Sequence, residues 1–510
     1  MNLRPPAPEA GALPSCATPR RASIVGVGKL RCQGSGRIFN SKGESTIRYL
    51  RLWVAVMVAR LTGWMSRVSG RGGSSLPGLI ARRMAPDVLT QLRLGLKYGT
   101  VLITGTNGKT TTAAMARRVL QSAGLTVIAN RSGANLAAGI ATTFILAGGW
   151  RQMCPRADFA LLETDEATMP KVGPDLSPRA ILVTNVFRDQ LDRYGELTTT
   201  LRYIQGGIDV MPPSGRLVLN ADDPQVAFLG EGQPNVVYYG LEDTGPVAAK
   251  AYAAADVSDS HRCPRCGEDL VYRVRYYAHL GDYRCVHCGW NRPQAAIRLR
   301  TVRPGGNTVH LLGEFGAVEC EMPLPGIYNR YNLVAAAALA WALGVSPETI
   351  PEAIREMPPT FGRMEAVVDG ETRIWIALVK NPTGFNQVMQ TIAEDRGEAS
   401  HALILINDRH ADGRDVSWLW DVDFEGIASL MGVRRWWVSG TRAWDMAVRL
   451  KYAGIDEAAV SVMAAVDEAL AAAIEGSAGG TLYILPTYTA LLEVREALTR
   501  RGLVRHFREG

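Results

Sequence analysis

One seven-residue stretch constrains the fold of this chain more than any other: Gly105-Thr-Asn-Gly-Lys109-Thr110-Thr111. An apolar run at 100–104 precedes it, and a helical pattern over 111–122 follows it. Glycines in such a strand-to-helix turn let backbone N–H groups face a phosphate, and the helix N-terminus adds the positive end of its dipole. The stretch therefore predicts a nucleoside triphosphate site, to which Gly105, Thr106, Asn107, Gly108, Lys109, Thr110 and Thr111 all contribute.

Two side chains of this loop and one nearby acid carry the predicted chemistry. Lys109 is expected to contact the β- and γ-phosphates as a catalytic residue, and the Thr110 hydroxyl to bind Mg²⁺. The acidic segment Glu163-Thr-Asp165-Glu166 follows another buried strand, and Glu163 is expected to be catalytic and to bind the same Mg²⁺. In the alternative interpretation, a carboxylate at this strand end only caps the next helix.

Strand-like and helix-like patterns alternate along most of the chain, which predicts an α/β fold with mostly parallel sheets covered on both faces. The strand-like stretches are 126–129, 159–163, 180–184 and 216–219, followed by 372–378, 401–406, 435–438 and 482–485. An alanine-rich helix is expected at 331–343 and a linker at 358–362. We predict a disordered extension over 1–46, a central ATP-binding domain over 47–357 and a Rossmann-like domain over 358–510.

Four of the eight cysteines form a pattern typical of a zinc ribbon. Cys263 and Cys266 are separated by two residues, as are Cys285 and Cys288, and eighteen residues lie between the two pairs. Four thiolates close a tetrahedral site, so a structural Zn²⁺ is predicted in an insert at about 258–294. His287 is expected to point away, and a small core is expected from Tyr276, Tyr277 and Tyr283.

The charge and the cysteine usage limit the cellular setting. The formal net charge of +7 fits an anionic substrate or a membrane surface and does not by itself imply nucleic acid. The remaining cysteines show no pairing pattern, and no apolar run suits a membrane span or signal peptide. We expect a cytoplasmic protein, with the inner face of the membrane as an alternative.

An arginine-bearing helical pattern over 46–69 has two interpretations. Such a helix can lie on anionic lipid, or it can pack on the core of its own domain. Packing is the commoner use of an apolar helix face and is favoured here.

Several further motifs, in order, resemble the Mur ligase family. The central ones are 184–195, where Gln190 stands in place of the His of most Mur ligases, 219–224, and 325–332. The C-terminal ones are 380–386, 407–418, 439–442 and 485–489. Together with the cysteine insert, these motifs resemble the MurT branch, the ligase subunits of lipid II isoglutaminyl synthase, over roughly 47–505.

This resemblance implies a specific reaction. A MurT-type subunit is a carbon–nitrogen ligase that uses ATP and Mg²⁺ to phosphorylate the α-carboxylate of the D-glutamate in lipid II. Ammonia from a glutaminase subunit of the GatD type, bound in a heterodimer or larger complex, then converts the acyl phosphate to isoglutamine. Peripheral membrane contact through the lipid substrate is implied, and no nucleic-acid partner.

The resemblance also assigns roles to single residues. Asn329, Asn332 and Arg363 match positions near the nucleotide, although the asparagines could instead cap a helix. Asp415 would orient the histidine base of the glutaminase as the third member of a Cys–His–Asp site, although Asp-Gly-Arg-Asp is equally a surface turn.

Two rival functions remain. In a Mur-type amino-acid ligase, ATP turnover is stimulated by an amino acid, but residues 377–382 lack the Asp–His pair that such ligases use. A nucleotide-dependent nucleic-acid binder built on the zinc ribbon would bind in a salt-sensitive way, but the chain has no continuous basic stripe.

Overall fold

The computed structural model describes residues 44–68, 75–131, 133–150, 152–188, 197–242, 261–302, 306–322, 324–355, 357, 362–394 and 400–504. Most of the predicted extension, Gln190 and the predicted linker apart from Gly362 lie outside these residues, as does the side chain of Arg363.

The strands before residue 330 form a nine-stranded sheet and a separate hairpin. They are β1 (Leu96–Thr104), β2 (Val127–Ala129), β3 (Ala157–Glu163), β4 (Ala180–Val183), β5 (Arg216–Asn220), β6 (Val236–Leu241), β7 (Leu270–Tyr277), β8 (Leu280–Cys285), β9 (Ile297–Thr301), β10 (Thr308–Gly313) and β11 (Gly316–Glu321). The sheet order is β11-β10-β9-β6-β5-β4-β1-β3-β2, parallel throughout except at β10, which pairs antiparallel with both neighbours. The parallel strands β1 to β5 were predicted, whereas β6, β9 and the antiparallel edge were not.

Helices cover both faces of this sheet. They are α1 (Glu44–Val68), α2 (Leu76–Met84), α3 (Val88–Leu92), α4 (Lys109–Ser122), α5 (Ala137–Ala147), α6 (Met169–Leu176), α7 (Leu197–Asp209), α8 (Pro224–Phe228), α9 (Ile327–Ala342) and α10 (Ile350–Arg355). Apolar side chains of α4, α9 and α10 form the core on one face, and those of α1, α2, α3, α5, α6 and α7 form the core on the other. This three-layer arrangement places the loop after β1 at the carboxyl edge of the sheet.

The hairpin of β7 and β8 packs on the domain. Tyr283 stacks on Trp290 within the small ribbon core. Tyr276 and Tyr277 instead contact Tyr331 of α9 with ring centroids 6.5 and 5.5 Å apart, inside the main core. The prediction that all three tyrosines build the ribbon core was therefore wrong for two of them, because that face of the hairpin is covered by the central sheet and α9.

The C-terminal part is a second α/β unit. Its strands are β12 (Arg363–Asp369), β13 (Thr372–Ala377), β14 (Ser400–Leu405), β15 (Val433–Ser439), β16 (Val460–Val462) and β17 (Thr481–Pro486). Its helices are α11 (Pro382–Glu394), α12 (Phe424–Ile427), α13 (Ala443–Tyr452), α14 (Val466–Gly476) and α15 (Tyr488–Arg500). The sheet order is β12-β13-β17-β14-β15-β16, parallel except for β12, with apolar cores on both faces. The predicted α/β class with parallel sheets is confirmed.

Candidate functional site

The phosphate loop is shaped by two glycines that no other residue could replace without strain. Gly105 and Gly108 have φ values of +119° and +85°, in the region that residues with a side chain rarely adopt. A Cβ at Gly105 would come 2.3 Å from Thr184 Oγ1, and one at Gly108 would come 2.2 Å from Asn332 Oδ1. The glycines thus set the turn and also let two polar side chains approach its backbone.

Lys109, the first residue of α4, is held inside the loop. Its Nζ lies 2.8 Å from Glu166 Oε1 and also donates to the carbonyl of Gly105. Burial alone would lower the pKa of Lys109, but Glu166, with Glu163 and Asp165 nearby, leaves this pKa above its ordinary value. The ammonium is therefore charged throughout the neutral range, as a phosphate-binding group requires.

Thr110 and Glu163 lie side by side. The Thr110 hydroxyl donates to Glu163 Oε2 at 2.9 Å, and Glu163 is 7% exposed at the end of β3. Asn130, just after β2, exchanges two hydrogen bonds with the backbone of Glu163 and so fixes this strand end. A hydroxyl and a carboxylate oxygen at the mouth of the loop are suitable oxygen ligands for Mg²⁺.

Thr184 and Asn185, which follow β4, hold the phosphate loop in place through hydrogen bonds to its backbone. Asn185 accepts from the Asn107 N–H at 2.9 Å through its side chain and from the Thr106 N–H at 2.9 Å through its carbonyl. The Thr184 hydroxyl donates to the Asn107 carbonyl at 2.8 Å. The loop is thus preorganised by neighbouring strands.

The start of α9 reaches the same loop. Asn332 accepts from the Thr112 hydroxyl at 3.2 Å and donates to Asn329, whose amide donates to the carbonyl of Pro325 at 2.7 Å. Both asparagines are buried. Asn329 therefore stabilises the start of the helix, as the capping interpretation expects. Asn332 also contacts the region of the phosphate loop, as a position near the nucleotide requires.

Residues of the C-terminal unit also contact the phosphate loop. Lys380 Nζ donates to the Thr106 carbonyl at 3.2 Å, and the Asn381 amide donates to Asn107 Oδ1 at 3.1 Å. A cavity of about 680 Å³, its open mouth included, lies between the two units and suits a small-molecule ligand in size. Its lining includes Gly108, Thr111, Asn332, Tyr328, Met364 and Val388.

The cysteine insert has the geometry of a metal centre. Cys263 Sγ lies 3.6 Å from Cys288 Sγ, Cys266 Sγ lies 3.5 Å from Cys285 Sγ, and all four sulfurs lie within 4.8 Å of one another. Zn–S bonds of ~2.3 Å in a tetrahedron place sulfurs ~3.8 Å apart, so the four thiols fit Zn²⁺. N–H groups of Cys288 and His287 lower the pKa of the Cys285 thiol to about 6, whereas burial and the neighbouring thiols raise the pKa values of Cys263 and Cys266. Among the described residues, this group consists of the four cysteines without His287.

Asp415 is placed as a turn residue at the surface of the C-terminal unit. Its carboxylate accepts from the Ser417 N–H at 2.8 Å, just before the short 3₁₀ helix Ser417–Asp421. The Ser417 N–H and hydroxyl lower the pKa of Asp415, so this half-buried group is ionised at neutral pH. This hydrogen-bond partner belongs to the same turn, so the surface-turn interpretation describes the isolated chain, in which the carboxylate lies beside solvent.

Six polar residues of the site were not among the predicted ones: Glu166, Asn130, Thr184, Asn185, Lys380 and Asn381. Asn130 follows β2 and Asn185 lies two residues after β4, at the carboxyl ends of parallel strands, which is the signal that could have identified them. Glu166 belongs to a cluster of three acids, and nothing in the local pattern distinguishes it from Glu163 as the partner of Lys109.

Comparisons with known proteins identify the class of protein that has this fold and site. Residues 103–340 match the Mur ligase middle domain, and residues 378–491 match the MurT ligase C-terminal family. The solved structure of a pseudomurein peptide ligase type C from Methanothermus fervidus superposes with a TM-score of 0.63 over 82% of this chain and 81% of that one, at 22% identity. The fold is thus that of Mur ligases, and the protein is an ATP-dependent ligase of the Mur class that acts in peptidoglycan synthesis.

Sequence relatives define the branch. The MurT subunit of lipid II isoglutaminyl synthase (glutamine-hydrolyzing) from Staphylococcus aureus strain N315 is 34% identical over 88% of this chain and 98% of its own length. The MurT subunit from Streptococcus pneumoniae is 34% identical over 89% of this chain and 99% of its own length. The chain belongs to the MurT family, and the resemblance drawn from its motifs is confirmed.

Proposed function

We propose that this chain is the ligase subunit of a lipid II isoglutaminyl synthase, which converts the α-carboxylate of the D-glutamate in lipid II to an amide. The observation that carries the proposal is the 34% identity to MurT subunits over 98–99% of their length, combined with a fully formed phosphate loop. We further propose that residues 47–357 and 358–510 are its two functional domains and that ATP occupies the cavity between them.

The proposed reaction has two steps. An oxygen of the substrate carboxylate attacks the γ-phosphorus of ATP, ADP leaves, and an acyl phosphate forms. Ammonia then attacks the carbonyl carbon, and inorganic phosphate leaves with the electron pair of the broken C–O bond. Phosphorylation is needed because a carboxylate is a poor electrophile, so the work of the protein is positioning and charge neutralisation.

The loop residues would divide this work. N–H groups of the loop and of the first turn of α4 would hold the phosphates, and Lys109 would exchange its contact with Glu166 for the transferred phosphoryl group. Thr110 and Glu163 would hold Mg²⁺, which when bound neutralises charge between the β- and γ-phosphates. Asn332 and Arg363 would position the nucleotide, and Asn329 would keep the start of α9 in place for them.

Ammonia is the proposed nucleophile, and a glutaminase subunit of the GatD type is its proposed source. Ala377 and Lys380 stand where amino-acid-adding Mur ligases have their Asp–His pair, and Lys380 and the adjacent Asn381 both contact the phosphate loop. Lys380 and Asn381 therefore brace the loop, and Ala377 offers no carboxylate to orient an amino-acid ammonium group. Asp415, ionised and beside solvent, is proposed to complete the Cys–His site of the glutaminase across the interface.

The test is amidation with purified components. The chain, ATP, Mg²⁺ and lipid II are incubated with ammonium chloride, with glutamine plus the glutaminase, or with single amino acids. The product is identified by mass spectrometry. The proposal expects an isoglutamine product with either nitrogen source and no amino-acid adduct. An adduct without amidation would identify an amino-acid ligase instead.

A further inference from the structure

The outer face of α1 is apolar although it faces solvent in the isolated chain. Leu52, Ala55, Val56 and Ala59 are buried on the inner face and pack in the central domain. The outer face carries apolar side chains at helical spacing that are 36–73% exposed: Ile47, Leu50, Val54, Val58, Leu61 and Met65. A surface helix of a globular protein normally has polar residues at such positions, so this face is suited to being covered.

Aromatic side chains border this face. Tyr49, Trp53 and Trp64 are about half exposed along the same helix. Trp150 is also exposed, in a loop that Arg60 of α1 fixes by donating to the carbonyls of Gln152 and Met153. Tyrosine and tryptophan concentrate where a membrane meets water, because their rings are apolar and each has a polar end.

The charge around α1 indicates what kind of surface could cover its outer face. Residues 44–97 contain nine basic and two acidic residues, an excess that equals the formal net charge of the whole chain. Arg51 is exposed at the amino-terminal end of the helix, beside Arg48, which is also exposed and pairs with Asp87. Arg82 and Arg83 lie in the last turn of α2, which packs on α1. A basic helix with an apolar, tryptophan-bordered face complements an anionic lipid surface.

We propose that α1 lies in the interface of an anionic bilayer, with its outer face at the boundary between headgroups and acyl chains. No helix among the described residues is long and apolar enough to cross a membrane, so the helix lies along the surface. The apolar stripe from Ile47 to Met65 is roughly 27 Å long at 1.5 Å per residue. The proposal goes beyond the proposed amidation and does not depend on it.

Vesicle binding by the full chain tests the proposal without any enzymatic readout. We expect the protein to sediment with vesicles of phosphatidylglycerol and phosphatidylcholine, to bind phosphatidylcholine alone far more weakly, and to be released by salt. Leu50→Asp/Leu61→Asp is expected to lower vesicle affinity by at least tenfold. Both side chains are exposed, so the unfolding temperature of the variant stays at the parent value. Val368→Asp, which changes a 66% exposed valine on β12, is the matched control and is expected to bind like the parent.

A second measurement locates the contact. Phosphatidylglycerol with brominated acyl chains should quench tryptophan emission of the parent, and Trp53→Phe/Trp64→Phe should lose a large part of that quenching. Parent-like binding by the Leu50→Asp/Leu61→Asp variant would overturn the proposal and point to the basic residues outside α1. The same variant could instead lose the ability to form a lipid-free dimer, or a complex with the glutaminase, while it still binds vesicles. That result would show that the outer face of α1 binds a protein.

Discussion

Glu166 decides the charge state of Lys109. This lysine is buried, which disfavours its ammonium, and the carboxylate 2.8 Å away reverses that effect and raises the pKa of Lys109. A lysine with a raised pKa keeps its charge until the pH passes that value. Nucleotide affinity should therefore persist well into the alkaline range.

Glu166→Gln tests this role. Without the carboxylate, burial dominates and the pKa of Lys109 falls, so the alkaline loss of ATP affinity should move to lower pH. Titration calorimetry with ATP across a pH series measures the shift. Glu163→Gln is the comparison: it should weaken the dependence on Mg²⁺ and leave the alkaline limb in place. Superimposable pH profiles for Glu166→Gln and parent would contradict the assignment.

Asp415 allows a prediction that separates the two half-reactions. In the complex with the glutaminase, Asp415→Asn should lower glutamine hydrolysis by ~10²–10⁴-fold, because the histidine base loses its orienting acid. Amidation with ammonium chloride should be unchanged, since this turn lies outside the nucleotide cavity.

A close structural control is available for Asp415. Asp456 likewise accepts from an N–H two residues on, at 3.0 Å, before the short 3₁₀ helix Glu457–Ala459. Asp456→Asn therefore removes a similar cap far along the chain and should leave glutamine hydrolysis intact. Equal losses in the two variants would show that Asp415 only holds its turn.

At the scale of elements, the hairpin of β7 and β8 is anchored through a buried ion pair. Arg292, just after the last ribbon cysteine, donates to Asp222 Oδ1 at 2.5 Å, and Tyr331 of α9 donates to Asp222 Oδ2 at 2.7 Å. Asp222 is fully buried, and burial raises its pKa although Arg292 and the Leu241 N–H stabilise its charge. The ribbon is thereby linked to the helix that carries Asn332.

Removal of Arg292 should therefore be costly. Arg292→Ala leaves a buried, unpaired carboxylate and should lower the free energy of unfolding by about 3–5 kcal/mol in chemical denaturation. The loss should shrink as pH falls, because an acid with a raised pKa binds more protons in the folded state, and a protonated Asp222 needs no ion pair. Arg265→Ala breaks an exposed pair with Glu231 and should have little effect. A loss independent of pH would contradict this role of Asp222.

At the scale of the whole molecule, the site exists only where the two units meet. Lys380 and Asn381 contact Thr106 and Asn107 across a separation of 274 residues. Lys380→Met should lower the rate of ATP-dependent amidation by roughly 10²-fold through misplacement of the loop, with an unchanged unfolding temperature. The matched change Lys451→Met removes a lysine from an exposed ion pair and should retain parental activity. Parental activity in Lys380→Met would exclude a contribution of this contact.

The sequence predicted those features that depend on residues close together in the chain. The phosphate loop has its glycines and lysine at fixed spacing, and the four cysteines form two adjacent pairs. Most strands of the parallel sheets match the alternating pattern, although β6, β9 and β16 were not among the predicted strands. Contacts that depend on packing were not predictable from the sequence. Examples are the position of Tyr276 and Tyr277 in the main core, the ion pair of Glu166 with Lys109, and the hydrogen bond from Lys380 to the Thr106 carbonyl. The local pattern of α1 left two interpretations open, because the same helix has one buried apolar face and one exposed apolar face.

In the proposed reaction, this chain activates a carboxylate by phosphorylation. Isotope transfer tests this step with lipid II whose glutamate α-carboxylate carries ¹⁸O at both oxygens, incubated with the chain, ATP, Mg²⁺ and ammonium chloride. Each amidation event should transfer one ¹⁸O to the released inorganic phosphate, and Lys109→Ala should abolish both phosphate and amide. Isoglutamine formed with phosphate free of ¹⁸O would contradict an acyl phosphate intermediate and, with it, the proposed reaction.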